Sequence, residues 1–192
     1  MPAPAVTFRE AVAADARWLA DFGREIFDAT FGPHNRDEDM AAYLDAHYTV
    51  ERQAGEIARP GSKIWIAELD GSRVGYTQLV LDAPRVELAG DPATEVHRFY
   101  VDGAWHGRGI AAAMMAHCLE ESRAAGARWT WLAVWSQNER ALAFYRKAGF
   151  AKIGEQIFVL GRDRQIDFVM ARDLRVSWAP TSGRETGDEE PA

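Results

Sequence analysis

The sequence predicts a mixed α/β domain, and three observations carry that expectation. Two β-rich runs, "SKIWIAEL" and "RVGYTQLVL", are joined by Asp70-Gly71, a dipeptide suited to a tight hairpin turn, so the runs should pair antiparallel. Elsewhere apolar residues recur at helical spacing, as Trp18, Leu19, Phe22, Ile26 and Phe27 do in "DARWLADFGREIFDATF". In the second half, strand-like and helix-like stretches alternate, starting with "TEVHRFYV" ahead of a glycine-containing turn. A chain of 192 residues, 47% apolar and 27% charged, has the material for one sizeable core and the balance of a globular protein.

The first element is a strand in "AVTFREA", and the helix that follows should stop at Gly32-Pro33. A second helix is expected in "RDEDMAAYLDAHY", and a looser third segment around "VERQAGEIA" ends at Pro60-Gly61. The hairpin comes next. Beyond the loop "DAPRVELAGDPA", the strand "TEVHRFYV" feeds the helix "HGRGIAAAMMAHCLEESRAAG", which should end near Gly126. That helix is apolar on most sides through Met115, the pattern of a helix packed on a sheet. "ARWTWLAVW" is a strand, "NERALAFYRKAGF" a helix, and "KIGEQIFVLG" with "QIDFVMARDL" a closing pair of strands. The domain should span 1–175, and the polar, acidic tail 176–192 should be disordered.

A net charge of -7 with scattered Lys and Arg disfavours a nucleic-acid partner, because phosphate neutralisation needs a basic face. Cys118 is the single cysteine, so no internal disulfide can form; a small buried hydrophobe in a cytoplasmic protein is expected. No apolar run approaches the ~20 residues of a membrane span, and "MPAPAVTFREAV" lacks a basic start followed by an apolar stretch. His34, His47, His106 and His117 show no metal-ligand spacing with one another or with Cys118, so no metal is expected.

The chemistry concentrates in "EVHRFYVDGAWHGRGIAAAMM", where a strand ends, a loop turns and glycines open a helix. Free N–H groups and the positive end of the helix dipole make such a place an anion site, and Gly107 and Gly109 let backbone approach a phosphate. "GRGIAAA" also approximates a dinucleotide fingerprint. That reading would place the turn in the first βα unit with an acid ~20 residues on. Here the turn is mid-chain and "GARWTWLA" holds no acid.

With the next block, "WLAVWSQNERALAFYRKAGF", the sequence resembles the GNAT superfamily of N-acetyltransferases. Phe99-Tyr100-Val101 followed by His106-Gly107-Arg108-Gly109-Ile110-Ala111 matches its first signature, with His106 where the family prefers Arg or Gln. Asn138, Ala141, Phe144-Tyr145, Lys147 and Gly149-Phe150 match its second. Segments "FDATF", "VWSQNERALAFYRKAGF" and "GRDRQIDFVMARDL" are most similar to the PaiA-like spermidine/spermine N-acetyltransferases, over roughly Val6 to Leu174. The resemblance implies a twisted, mostly antiparallel mixed sheet of about seven strands, splayed between strands 4 and 5 and flanked by about four helices. It also implies acetyl-CoA in the splay, held by Phe99, Val101, the run from His106 to Ala111, Asn138 and Tyr145. Homodimers are frequent in such relatives.

An aliphatic amine with pKa near ~10 is an ammonium at neutral pH and needs a base before it can attack. Strand alternation puts Glu95, His97, Phe99 and Val101 on one side of the strand entering the splay, making Glu95 the candidate base and His97 its alternative. The family pattern implies that the Val101 N–H faces the developing oxyanion and that Tyr145 protonates the departing thiolate. Asn138 holds the pantetheine arm, caps its helix, or does both. The resemblance also implies that the first two helices and Trp135 form the acceptor site, with Glu25, Phe27, Thr30 and Phe31 as candidates and a small-molecule amine, such as a polyamine, as substrate. A protein or peptide acetyltransferase and an acetyl-CoA-binding sensor without turnover remain the alternatives.

Overall fold

The computed structural model describes residues 6–176. The expected disordered tail, apart from Val176, lies outside the described residues. Among the described residues, seven strands form one sheet in the order β1-β2-β3-β4-β5-β7-β6. They are β1 (Thr7–Glu10), β2 (Ser62–Leu69), β3 (Ser72–Val80), β4 (Ala93–Val101), β5 (Trp129–Trp135), β6 (Ala151–Leu160) and β7 (Asp163–Asp173). Every neighbouring pair is antiparallel except β4 and β5, which are parallel because a helical crossover joins them. The β2–β3 hairpin turns where expected, with Asp70 at φ 50° and Gly71 at φ 76°, the left-handed pair that matches strand twist.

Among the described residues, five α-helices flank the sheet: α1 (Ala16–Phe31), α2 (Asp37–His47), α3 (Val50–Ala58), α4 (Ile110–Ala124) and α5 (Glu139–Lys147). The looser third segment is therefore a full helix, started by the Thr49 hydroxyl accepting from the Arg52 N–H at 3.1 Å. On one sheet face, Met115, Cys118 and Leu119 of α4 and Leu142 and Tyr145 of α5 pack on Leu79, Val96, Leu132 and Met170. On the other, Leu19 and Phe22 of α1 cover Ile64, Ile66 and Tyr76.

One local irregularity positions the site. Leu79 pairs with Val96 but Gln78 pairs with Arg98, so β4 carries His97 as an extra residue, a β-bulge. The extra residue inverts which positions face which helices. Val96 before the bulge and Phe99 and Val101 after it all pack toward α4 and α5, whereas Arg98 and Tyr100 face α1 and α3. Regular alternation from Glu95 through Val101 does not hold. Glu95 lies on the α1–α3 face, opposite Phe99 and Val101.

Beneath the bulge, the Arg98 guanidinium is buried against the Glu56 carboxylate and also reaches Gln53 Oε1 and Gln78 Oε1 at 3.2 Å. Gln78 Nε2 donates onward to Ser62 at 3.0 Å, and the Tyr48 and Tyr100 hydroxyls bond at 2.7 Å. A buried charge is tolerated because every side of it is matched.

Candidate active site

Strands β4 and β5 stay paired only from Ala93–Trp129 to Glu95–Trp131, then part, while β5 remains bound to β7 as far as Trp135. A cleft of about 1020 Å³ opens between them. Its two ends differ in chemistry.

At one end, Asp102 accepts the Ala104 N–H at 2.9 Å and tightens the loop after β4, so the chain enters α4 through Gly107 at φ 78° and Gly109 at φ 80°. A side chain is strained at such angles, hence glycine. Gly109 is the N-cap, and no side chain among the described residues caps α4. The first N–H groups of α4 therefore lack helical partners and lie on the cleft wall, where Ile110, Ala111 and Ala112 line it. Nothing lies within 4 Å of a Cβ built on Gly107 or Gly109, so the approach to these amides is open. The donor set fits a diphosphate. The flanking side chains turn elsewhere. The His106 ring bonds the Val101 carbonyl at 3.0 Å, and the Arg108 guanidinium sits 4.9 Å from the Trp105 ring centroid.

In mid-cleft, the Asp102 N–H donates to Val74 of β3 at 3.0 Å, so the N–H of Val101, one residue back, points the opposite way, toward the gap left by β5. Phe99 and Tyr145 both line this stretch. Tyr145 is almost wholly buried among Phe99, Phe144 and Phe150, and loss of water pushes its phenol well above the ordinary value of 10. It holds its proton at neutral pH. Asn138 Oδ1 accepts the Ala141 N–H at 3.1 Å, which makes it the N-cap of α5, and the residue also lines the cleft.

At the other end, the Glu95 carboxylate bonds His97 Nδ1 at 3.0 Å, so the two candidate bases form one unit. Phe31 stands 5.8 Å and His34 5.0 Å from the Trp135 ring, and Phe27 stacks on Tyr43 at 4.7 Å. Phe27, Thr30, Phe31 and Trp135 thus gather as the sequence suggested, although the Thr30 hydroxyl is engaged by the Ile26 carbonyl at 2.7 Å. Glu25 does not join them. Two residues from Phe27 is about 200° around a helix, and this exposed carboxylate borders a separate depression with Asp21 and Arg24.

Several lining residues were not singled out from sequence: Tyr43, Tyr48, Phe158, Gln165 and Asp167. Asp167 is the chemically notable one, since burial alone pushes its carboxyl up to about 6. Cys118 bonds the Thr77 hydroxyl at 3.2 Å in the core, and its thiol is pushed up to about 12, which leaves it inert. Among the described residues no group of three or more His, Cys, Asp or Glu is placed to hold a metal, and no helix is long and apolar enough to cross a membrane.

The sequence model of the Acetyltransferase (GNAT) family matches residues 22–150. An uncharacterized N-acetyltransferase of Lactobacillus delbrueckii subsp. lactis is 36% identical over 151 residues, 79% of this chain and 87% of that protein. An uncharacterized N-acetyltransferase of Mycobacterium bovis is 34% identical over 160 residues, 83% of this chain and 98% of the relative. Among solved structures, the PaiA N-acetyltransferase of Thermoplasma acidophilum, in complex with coenzyme A, superposes with a TM-score of 0.69 at 20% identity, covering 88% of this chain and 99% of that one. At that identity the likeness is one of fold.

Proposed function

The chain belongs to the Acetyltransferase (GNAT) family and is an acetyl-CoA-dependent N-acetyltransferase, and from that premise we propose that its acceptor is the primary amine of a small cationic molecule. A polyamine of the spermidine class is the acceptor suggested by the resemblance of "FDATF", "VWSQNERALAFYRKAGF" and "GRDRQIDFVMARDL" to the PaiA-like spermidine/spermine N-acetyltransferases. The observation that carries the proposal is the parting of β4 from β5, with unpaired amides at one end of the cleft and carboxylates among aromatic rings at the other.

Acetyl-CoA supplies the acetyl group as an activated thioester. The amides from Gly107 to Ala111 hold its diphosphate, and Asn138 lies along its arm. At the far end, Glu95 takes the proton of the acceptor ammonium, directly or through one water, with His97 fixing the carboxylate by its Nδ1 contact. The Val101 N–H stands ready as a donor for a carbonyl oxygen gaining negative charge. Tyr145, kept protonated by burial, gives its proton to the sulfur as it leaves. Because the bulge at His97 puts Glu95 on one sheet face and the Tyr145 cluster is on the other, base and acid approach the split from opposite sides. Attack and departure then do not compete for one position.

The aromatic walls and the Glu95 carboxylate support a cationic acceptor by charge and by cation–π attraction. A panel of polyamines, amino acids and peptides, with coenzyme A thiol release as readout, tests this. Small primary amines should turn over, and Glu95→Gln should lower kcat/KM by ~10² or more at pH 7, the loss shrinking at high pH where the amine is already neutral. Turnover confined to peptides would contradict the acceptor assignment, and no thiol release with any acceptor would contradict the whole reading.

A further inference from the structure

On the same sheet face as Glu95, but across the split, β7 carries a second polar position that the mechanism leaves without a task. Asp167 pairs in register with Trp135 of β5 and Gln156 of β6, lines the cleft, and is only 8% exposed. Among the described residues, neither a hydrogen bond nor an ion pair reaches its carboxylate. Two residues back, and so on the same face, Gln165 is 7% exposed. Its Nε2 donates to Asn35 Oδ1 at 2.7 Å and Asp163 Oδ2 at 2.9 Å, which fixes the amide's orientation and leaves Oε1 buried with no donor.

Asp167 and Gln165 therefore line one stretch of cleft together, and among the described residues no donor reaches the Asp167 carboxylate or the Gln165 amide oxygen. Tyr43, Phe158 and Trp135 line the same stretch. Desolvating a carboxylate without a partner is expensive, and burial is the cause behind the raised Asp167 titration. A cation entering the cleft would relieve that cost at once, through charge, through the amide oxygen and through the ring faces.

Glu95 cannot be the group served by this arrangement. It stands on β4, with β5 between it and β7, and its register partner on β5 is Trp131 rather than Trp135. The sheet thus presents two anionic positions, one on each flank of the split.

We propose that Asp167 and the Gln165 amide oxygen form a recognition subsite for a second cationic nitrogen of the acceptor, so that the enzyme selects amines carrying a further positive charge several methylenes from the one acetylated. The proposal rests on the transferase reading above and names what that reading left open, the feature that distinguishes one amine from another. One nitrogen meets Glu95 and loses its proton. The other stays charged and is held by Asp167.

Steady-state kinetics on a matched pair, an n-alkylamine and the α,ω-diamine of equal carbon number, tests it on the unmodified enzyme. The diamine should show a KM lower by about tenfold or more, the scale of one charge-assisted contact. Asp167→Asn should raise KM for the diamine by a similar factor, leave its kcat within about twofold, and leave the monoamine unchanged. Equal efficiency for the two amines in the unmodified enzyme overturns the subsite while leaving the transferase reading intact. A variant whose loss falls on kcat for both amines also overturns it, because Asp167 would then serve proton transfer. Thiol release with neither amine overturns both readings together.

Discussion

Burial acts on Tyr145 and Asp167 in the same direction, and at neutral pH the consequences are opposite. A phenol raised well above 10 stays a donor, whereas a carboxyl raised to about 6 is still ionised at pH 8 and carries the cost of its burial. The sign of the stability effect follows. The Asp167 carboxyl titrates near 4 in the unfolded chain and about 6 in the folded one, so between those values the folded state binds more protons. Stability contributed by this group rises as pH falls through that window and is lowest above it. Asp167→Asn should therefore resist unfolding better than the unmodified protein at pH 8, by on the order of 3 kcal/mol, with the difference closing as pH falls below about 4. Equal melting profiles across that range would contradict the burial of an unpaired charge. That Glu95 and Tyr145 border the cleft was legible in the sequence, because motif and strand order locate them. Asp167 was not, since an acid inside "QIDFVMA" reads equally as the solvent side of a strand, and only pairing with β5 decides which side faces the cleft.

The strand β4 shows how an element departs from its own pattern. "TEVHRFYV" reads as regular alternation, but whether one residue is extruded depends on how β3 pairs with it, and no local residue choice announces that. Helix boundaries were plainer. Gly32-Pro33 and Pro60-Gly61 end α1 and α3 nearly where expected, and Asn138 opens α5. Glu25 fails as an acceptor residue for a reason belonging to this scale, since a helix that buries Phe27 turns position 25 outward. The segment after the bulge is anchored by the buried pair between Arg98 of β4 and Glu56 of α3. Removing one partner leaves the other charged and buried, so Glu56→Ala should lower unfolding free energy by about 3–5 kcal/mol in urea titrations. A loss under about 1 kcal/mol, typical of an exposed pair, would show that the pair is not holding α3 to the sheet.

At the scale of the whole molecule, the number and order of elements were readable from periodicity and punctuation, and the parallel β4–β5 pair follows from the helix that crosses between them. The parting of those strands was not readable that way; it entered only through resemblance to relatives, because local periodicity in β4 and β5 carries no sign of where their pairing ends. Once the gap exists, amides at the start of α4, the Val101 N–H, Tyr145 and the Glu95–His97 unit all border one space. The roles proposed for them require that acetyl-CoA occupy it. Calorimetric titration of the protein with acetyl-CoA measures this directly. One-to-one uptake with a dissociation constant tighter than about 1 mM is expected, weakened when Gly109→Val crowds the amides proposed to seat the diphosphate. Absence of binding heat at several temperatures, or uptake that Gly109→Val leaves unchanged, would contradict it.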